Sequence, residues 1–314
     1  MDKVVIITGA NSGIGKAAAY RFAEEGYRVV MACRNLEKSK NVQQEIIEAT
    51  NNPQIDLLQL DISSIVSIHQ FHSSVKETYP KLDILIHNAA FLNHGNKNYQ
   101  LSGDGIELSF ATNVVGPFLL TKLLADQLAN SDDARILHAC TTNIRHFFDP
   151  KRKIEFDNLQ GEFEDNRPYS TYKMYGDSKM ALVMLTFKLA EELKDRHISV
   201  NAIQISAIKL SKETIQKMES GWKVAARVQN LFSAPQETMA DTYFHLCTSN
   251  EFKGITGKLI NAKRTIMQPS HYPDTPREQM KQFFDQTVYP KYAASERNME
   301  LVWELCSKLT AVEV

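Results

Sequence analysis

Eight residues near the N-terminus, Thr8-Gly-Ala-Asn-Ser-Gly-Ile-Gly15, leave little choice about the architecture around them. The apolar, β-branched run Lys3-Val-Val-Ile-Ile7 that leads into them reads as a buried strand. Lys16 to Glu25 follows with helical spacing, Ala18, Phe22 and Ala23 falling on one face. Strand, glycine-rich turn and helix gather backbone N–H groups and a positive helix N-terminus where a pyrophosphate can sit. Gly9 permits the tight turn, Gly13 lets the backbone approach the phosphates, and Gly15 lets the helix lie close on the strand. An ordinary βα turn with three glycines would read the same; the flanking strand and helix favour nucleotide binding.

The rest of the chain repeats this alternation. Strands are expected at Tyr27–Ala32, Ile55–Leu60, Leu82–Ile86, Arg135–Ala139, Ile198–Ile205 and Lys258–Ile260. Helices are expected at Glu37–Ala49, Ser63–Thr78, Ile106–Leu128, Tyr169–Lys194 and from Pro235 to Thr248, with Pro117 bending or dividing the third. Such alternation gives βαβ units and hence an α/β fold with a doubly wound parallel sheet. Phe147–Pro168 is charged and aperiodic and reads as a surface loop on the ligand side, and Lys209–Leu231 reads as a mobile helical flap. No linker divides the chain. A single domain is expected, with a core over 1–261 and a C-terminal extension over 262–314 that ends in an amphipathic helix (Met299, Val302, Trp303, Leu305, Cys306, Leu309) packed on the body.

Composition removes several classes of function. With 36 basic and 37 acidic residues the formal charge is −1, so no global field favours nucleic acid or an anionic membrane. Cys33, Cys140, Cys247 and Cys306 are scattered without ligand-like spacing, which argues against a metal site or disulfide scaffold and suits a reducing compartment. No apolar run reaches the roughly 18 residues of a membrane span, and the N-terminus is a strand rather than a signal peptide. The expectation is a soluble cytoplasmic protein with no transmembrane segment.

Tyr175-Gly-Asp-Ser-Lys179 is the second anchor. Four residues apart on a helix, Tyr175 and Lys179 share a face, so the ammonium can lie near the phenol. A fixed positive charge roughly 5 Å away favours phenolate by a few kcal/mol, bringing a phenol of ordinary pKa near 10 toward neutrality, where it can act as general acid or base. An exposed Tyr–Lys pair fits the same spacing. His87 and His138 flank strand ends and read as packed or hydrogen-bonded histidines; His94 and His146 fall in loops on the ligand side.

Taken in order and spacing, these pieces resemble the short-chain dehydrogenase/reductase family over nearly the whole chain. Thr8–Gly15 matches the family's TGxxxGxG turn, in which Gly9, Asn11, Ser12, Gly13, Ile14 and Gly15 would hold the cofactor phosphates. Asp61, followed by Ile62, falls where the family's acid contacts the adenine; Asn88-Ala89-Ala90 matches its NAG segment; Asn113 matches the asparagine of its long central helix. Within the family the chain is most similar to the retinol dehydrogenase and WW-domain oxidoreductase branch, on Ala32-Cys-Arg-Asn35, Asn113-Val-Val-Gly-Pro-Phe118, Asn158-Leu-Gln-Gly-Glu162 and the tail Leu301–Thr310. The resemblance implies a Rossmann-type fold binding a nicotinamide dinucleotide. Cys33 holds the place where an acid would bind the ribose hydroxyls of NAD, whereas Arg34 could pair with a 2′-phosphate, which favours NADP(H).

By the same resemblance Tyr175 exchanges a proton with the substrate oxygen, Lys179 holds the nicotinamide ribose and lowers the Tyr175 pKa, and Asn113 fixes a water joining Lys179 to solvent. The apolar stripe Phe110–Leu128 is then core, or a homodimer face of the kind the family uses. Three positions depart from the pattern. Thr141 stands where the family has its catalytic serine, Ile205-Ser206 replaces a Pro-Gly turn, and Leu210, with Ser211 beside it, replaces a threonine that contacts the cofactor amide. A threonine hydroxyl can still donate to a carbonyl oxygen, although its methyl restricts χ1 and crowds the substrate. The expected activity is an NADP(H)-dependent interconversion of carbonyl and alcohol on an apolar small molecule such as a retinoid, a steroid or another lipid-like carbonyl. The three departures keep a second expectation open, a catalytically impaired NADP(H)-binding sensor or scaffold.

Overall fold

Val4–Thr8 forms β1, buried throughout, and every later strand of the main sheet aligns with it. The computed structural model describes residues 3–92, 99–156, 169–210, 215–216, 220–273 and 275–311. After β1 come α1 (Gly13–Glu24), β2 (Arg28–Cys33), α2 (Leu36–Thr50), β3 (Ile55–Gln59), α3 (Ile65–Thr78) and β4 (Ile84–His87). The chain continues through α4 (Leu108–Ala129), β5 (Ala134–Thr141), a 3₁₀ segment (Thr142–Phe148), α5 (Thr171–Glu192), β6 (Ile198–Ile205), α6 (Ser220–Phe232), α7 (Gln236–Thr248) and β7 (Lys258–Asn261). The seven strands are all parallel, in the order β3-β2-β1-β4-β5-β6-β7. One apolar cluster on one face includes residues of α1, α2 and α7; the other joins α3, α4 and α5. From β1 the chain leaves toward one face and from β4 toward the other, so a crevice opens beyond their carboxyl ends, where such sheets bind ligands.

The strand and helix pattern expected from sequence is present at every element of this sheet, with boundaries shifted by no more than three residues. Three local expectations need correction. The irregularity in α4 lies ahead of Pro117: residues Ala111–Val115 take a π turn and Gly116–Ala129 resumes the α-helix. Pro117 has no N–H to return to the carbonyl of Asn113, and the wider turn accommodates that gap. Second, α4 is by length and composition apolar enough to cross a membrane, but 83% of its most apolar window is buried inside the fold, as in a core helix. Third, the stretch from Phe147 is not all surface loop: Phe147, Phe148 and Ile154 are buried, and Phe147 stacks on Tyr292 at 5.1 Å. The covering residues come from the far end of the chain, which the local charge pattern could not reveal. Residues 157–168, and with them Asn158–Glu162, lie outside the described residues, as do His94 and Ser211. Of the expected flap, residues 220–232 form α6 with Val224 and Val228 exposed.

The C-terminal extension adds β8 (Gln268–Pro269), α8 (Pro276–Phe284), β9 (Val288–Tyr289) and α9 (Glu296–Thr310). Ser295 caps α9 by accepting from the Asn298 N–H. Met299, Val302, Trp303 and Cys306 are buried as the amphipathic pattern requires, with the Trp303 ring edge-on to Phe118 at 5.1 Å. The apolar face that α4 and α5 would otherwise present is therefore covered by the chain's own tail.

Candidate active site

The turn after β1 has the shape its glycines require. Gly9 and Gly13 take left-handed backbone (φ +65° and +58°), and nothing lies within 4 Å of the position a Gly13 Cβ would occupy. Ser12 is the N-cap of α1 but its side chain makes no capping bond, so the first-turn N–H groups stay open toward the crevice. Asn11 is held by its Nδ2 donating to Ser39 Oγ at 2.9 Å. Ile14 packs against the apolar cluster on the α1 side. A left-handed cradle ahead of a 12-residue helix with open N–H groups fits a pyrophosphate.

A latch holds this turn to the end of β4. Thr8 Oγ1 accepts from the N–H groups of Asn88 and Ala89 (3.0 and 2.9 Å) and donates to Ile86 O, while Asn88 Nδ2 donates to Thr8 O. Tyr243, buried on α7, donates to Asn88 Oδ1 at 3.4 Å. At the adenosine end Cys33 is buried, Arg34 is exposed, and Asn35 caps α2 by accepting from the Lys38 N–H. Arg34 makes no hydrogen bond or ion pair within the described residues. Asp61 Oδ1 accepts from Ser63 N and Ser63 Oγ, which fixes the carboxylate at the mouth of β3, and the Ile62 carbonyl lies against Gly116 of α4.

Across the crevice, β5 and α5 bring together the remaining candidates. Thr141, the last residue of β5, accepts the Asn143 N–H at 3.3 Å, and its hydroxyl lies near the half-buried phenol of Tyr175. Lys179 is buried with its Nζ donating to Ala139 O at 2.8 Å and lying 5.9 Å from the Tyr175 ring centre. Asn113, on the π turn, accepts from Phe91 N and donates to Phe91 O and Ser178 Oγ, so its side chain buttresses the site rather than facing it.

The electrostatics differ from the sequence expectation. Burial pushes the Tyr175 phenol up to about 12, against the smaller opposing effect of the nearby Thr141 hydroxyl, which favours the phenolate. Burial likewise brings the Lys179 ammonium down to about 8. The i,i+4 spacing puts a charge beside the phenol, which in partly dry surroundings would favour phenolate. Here the ammonium is engaged by a carbonyl, and burial of the phenol sets the direction of its shift. The phenol is consequently protonated at neutral pH. His87 and His138 are core residues as expected: each bonds a threonine (Thr121 at 2.8 Å, Thr186 at 2.9 Å), and burial holds both well below the usual histidine range.

The structure thus gathers Gly9 to Gly15, Asn88, Ala89, Thr141, Tyr175 and Lys179 at one crevice. Thr8, Ser178 and Tyr243 support it without having been picked out in the sequence. Ser178 sits inside the Tyr175–Lys179 motif and was open to notice; Tyr243 looks like any other apolar helix residue until α7 is placed. No group of three or more potential metal ligands occurs among the described residues.

A parallel doubly wound sheet with a glycine turn opposite a Tyr–Lys pair defines a dinucleotide-binding oxidoreductase fold, and the chain belongs to the short-chain dehydrogenase family. Residues 3–145 match the model described as short chain dehydrogenase, and residues 163–262 match that of enoyl-(acyl carrier protein) reductase. Among its relatives, retinol dehydrogenase 13 of Mus musculus is 32% identical over 83% of this chain and 76% of its own length. Retinol dehydrogenase 12 of Mus musculus is 37% identical over 82% and 77%. A short chain dehydrogenase of Escherichia coli CFT073, solved in complex with NADPH, superposes with a TM-score of 0.64 at 22% identity over 83% of this chain and 97% of that one. A protein from Mycobacterium paratuberculosis gives 0.65 at 21% identity and spans 99% of this chain and 94% of its own.

Proposed function

We propose that this protein reduces the carbonyl group of an apolar small molecule with NADPH, Tyr175 acting as the proton donor. The observation that carries the reading is the placement of Thr141, at the end of β5, beside the Tyr175 phenol, with the buried Lys179 ammonium 5.9 Å from the phenol ring, across the crevice that suits a pyrophosphate. The nicotinamide, when bound, supplies the hydride. This chain's own part is to align substrate and cofactor and to manage one proton. Gly9 to Gly15 hold the phosphates through backbone N–H groups. Asn88 and Ala89 keep the turn against β4, and Asp61 and Ile62 frame the adenine. Thr141 Oγ1 accepts from Asn143, which leaves its own proton free to donate to the substrate oxygen beside Tyr175. The Tyr175 O–H, protonated at neutral pH, gives its proton to the carbonyl oxygen as that oxygen gains charge. Lys179 and Asn113 hold this face of α5 in register.

Arg34 supports NADP(H) over NAD(H). It is an uncommitted guanidinium next to the N-cap of the 15-residue helix α2, two features that both favour a phosphate. Arg34→Glu is expected to weaken NADPH binding by roughly 10- to 100-fold at low salt while leaving NADH binding within about twofold. Titration of protein fluorescence with the two cofactors checks this, and equal effects on both would remove the assignment.

The deciding assay is NADPH oxidation against a panel of apolar aldehydes and ketones. Tight NADPH binding with no turnover of any of them, restored by Thr141→Ser, would point instead to a cofactor-binding sensor. The pH profile carries its own sign. Lys179 is cationic below about 8 and neutral above it, while Tyr175 stays protonated to about 12. Reductive kcat/KM should therefore be level from pH 6 to 7.5 and fall as Lys179 loses its charge, well before the phenol titrates. A level profile to pH 10 would show that the ammonium charge is not required.

A further inference from the structure

Arg145 lies four residues beyond Thr141 and is buried, yet its guanidinium makes no ion pair within the described residues. Nη1 donates to Phe283 O, and Nη2 donates to Asp285 O (3.0 Å) and to Gln204 Oε1 (3.4 Å). Its three acceptors are neutral and the Asp285 carboxylate attracts it only from beyond ion-pair distance, so burial still draws the guanidinium below its usual range, a cost that the geometry it fixes must offset. Two of those carbonyls belong to the end of α8, where the last turn leaves C=O groups without helical partners and a cation is favourably placed. The rigid fork thus fastens the C-terminal extension to the segment that leaves the active-site strand.

From that joint a continuous wall runs back to the site. Asn143, which donates its N–H to Thr141, accepts from Tyr172 OH at 3.1 Å. Tyr172 stands one helical turn before Tyr175 on the same face of α5. The His146 ring meets Tyr172 edge-on at 5.8 Å and lies 6.2 Å from Phe283. Folding leaves this wall's apolar surface uncovered: Tyr172 is 42% and Phe283 40% exposed, and Phe284 beside them is 74% exposed. Apolar surface continuous with a cleft marks a ligand groove.

We propose that Arg145 is a positioning residue that pins α8 as the outer wall of the substrate cleft, so that Tyr172 and Phe283 select apolar substrates long enough to reach them. The proposal rests on the carbonyl-reduction reading above and deepens it. A short aldehyde fills only the space at Thr141 and Tyr175; a long one lies along the wall.

The test compares propanal with decanal as substrates of the wild type, Arg145→Met, Arg145→Lys and Phe283→Ala. Decanamide binding to the NADP⁺-loaded proteins, followed by calorimetry, serves as a readout independent of turnover. Arg145→Met and Phe283→Ala should each raise KM for decanal about tenfold, the scale of losing a few methylene contacts. KM for propanal and kcat for both aldehydes should stay within about twofold, and decanamide should bind correspondingly more weakly. Arg145→Lys, which restores the charge but not the fork, should recover part of the loss. Phe283 is exposed, so its variant separates the wall from a folding defect. Equal losses for both aldehydes, unchanged KM for decanal, or no decanamide binding by the wild type would overturn the proposal. If neither aldehyde is reduced but decanamide binding is weakened as stated, the wall stands and the carbonyl-reduction reading falls.

Discussion

Tyr175→Phe is expected to slow carbonyl reduction about a thousandfold while leaving NADPH affinity within about twofold. The substitution removes one oxygen and keeps the ring, so the packing of α5 is retained. The lost oxygen is the one that lies beside the Thr141 hydroxyl. Positioned proton transfer contributes typically 10²–10⁴ in rate. The larger part of that range is expected here because few other groups could donate. Lys179 is committed to Ala139 O, and His138 is buried, neutral and bonded to Thr186 deeper along α5. Stopped-flow reduction of decanal with saturating NADPH measures the chemical step directly. A Tyr175→Phe rate within tenfold of wild type would show that water or Thr141 suffices as donor, and would remove Tyr175 from the reaction. Thr141→Ala provides the contrast. It should cost less, about tenfold to a hundredfold, because it removes a hydrogen bond to the reacting oxygen and not the proton itself.

Parts of this arrangement were legible in the sequence for a physical reason. Periodicity and turn chemistry act over a few residues, so the run Lys3–Ile7, the glycines at 9, 13 and 15, and the i,i+4 pair of Tyr175 and Lys179 announce themselves locally. Parallel strands buried on both faces also read as continuous apolar runs, and β1 through β7 were found where such runs occur. What escaped depends on contacts between distant segments. The spacing of Tyr175 and Lys179 says nothing of how dry their surroundings are. The direction of the Tyr175 shift was consequently reversed once β5, α5 and α7 closed around it. Phe147 and Phe148 looked like part of a charged loop because Tyr292, which covers Phe147, lies more than a hundred residues further on. The Thr8–Asn88 latch joins residues eighty apart, and the Arg145 fork reaches Phe283. Each is a small set of polar contacts between distant segments, invisible to any pattern of apolar spacing.

That latch makes Gly15 the most sensitive position for cofactor binding outside the reacting groups. A Cβ on Gly15 would stand 2.4 Å from both Asn88 Nδ2 and Gly9 O, and 3.0 Å from Gly9 C. The neighbours are mostly backbone, and the one side chain is itself held by Thr8 O at 3.1 Å, so none can withdraw cheaply. Either α1 lifts from the turn or Asn88 leaves its place. Both outcomes move the N–H groups that face the phosphates, and overpacking of this kind destabilises by about 1–3 kcal/mol. Gly15→Ala is therefore expected to weaken NADPH binding more than a hundredfold and to lower the thermal midpoint by several degrees. Gly103→Ala is the control, since a Cβ there meets nothing within 4 Å and the residue has no left-handed backbone to lose. Calorimetric titration with NADPH and a melting curve read the two effects separately. Gly13→Ala should divide them. Its Cβ enters open space, so the melt should move by less, through backbone strain at φ +58° alone, while affinity falls because the added methyl occupies the approach to the phosphates. If Gly13→Ala leaves NADPH affinity unchanged, the phosphates do not approach at this turn, and the crevice between β1 and β4 loses its role as the cofactor site.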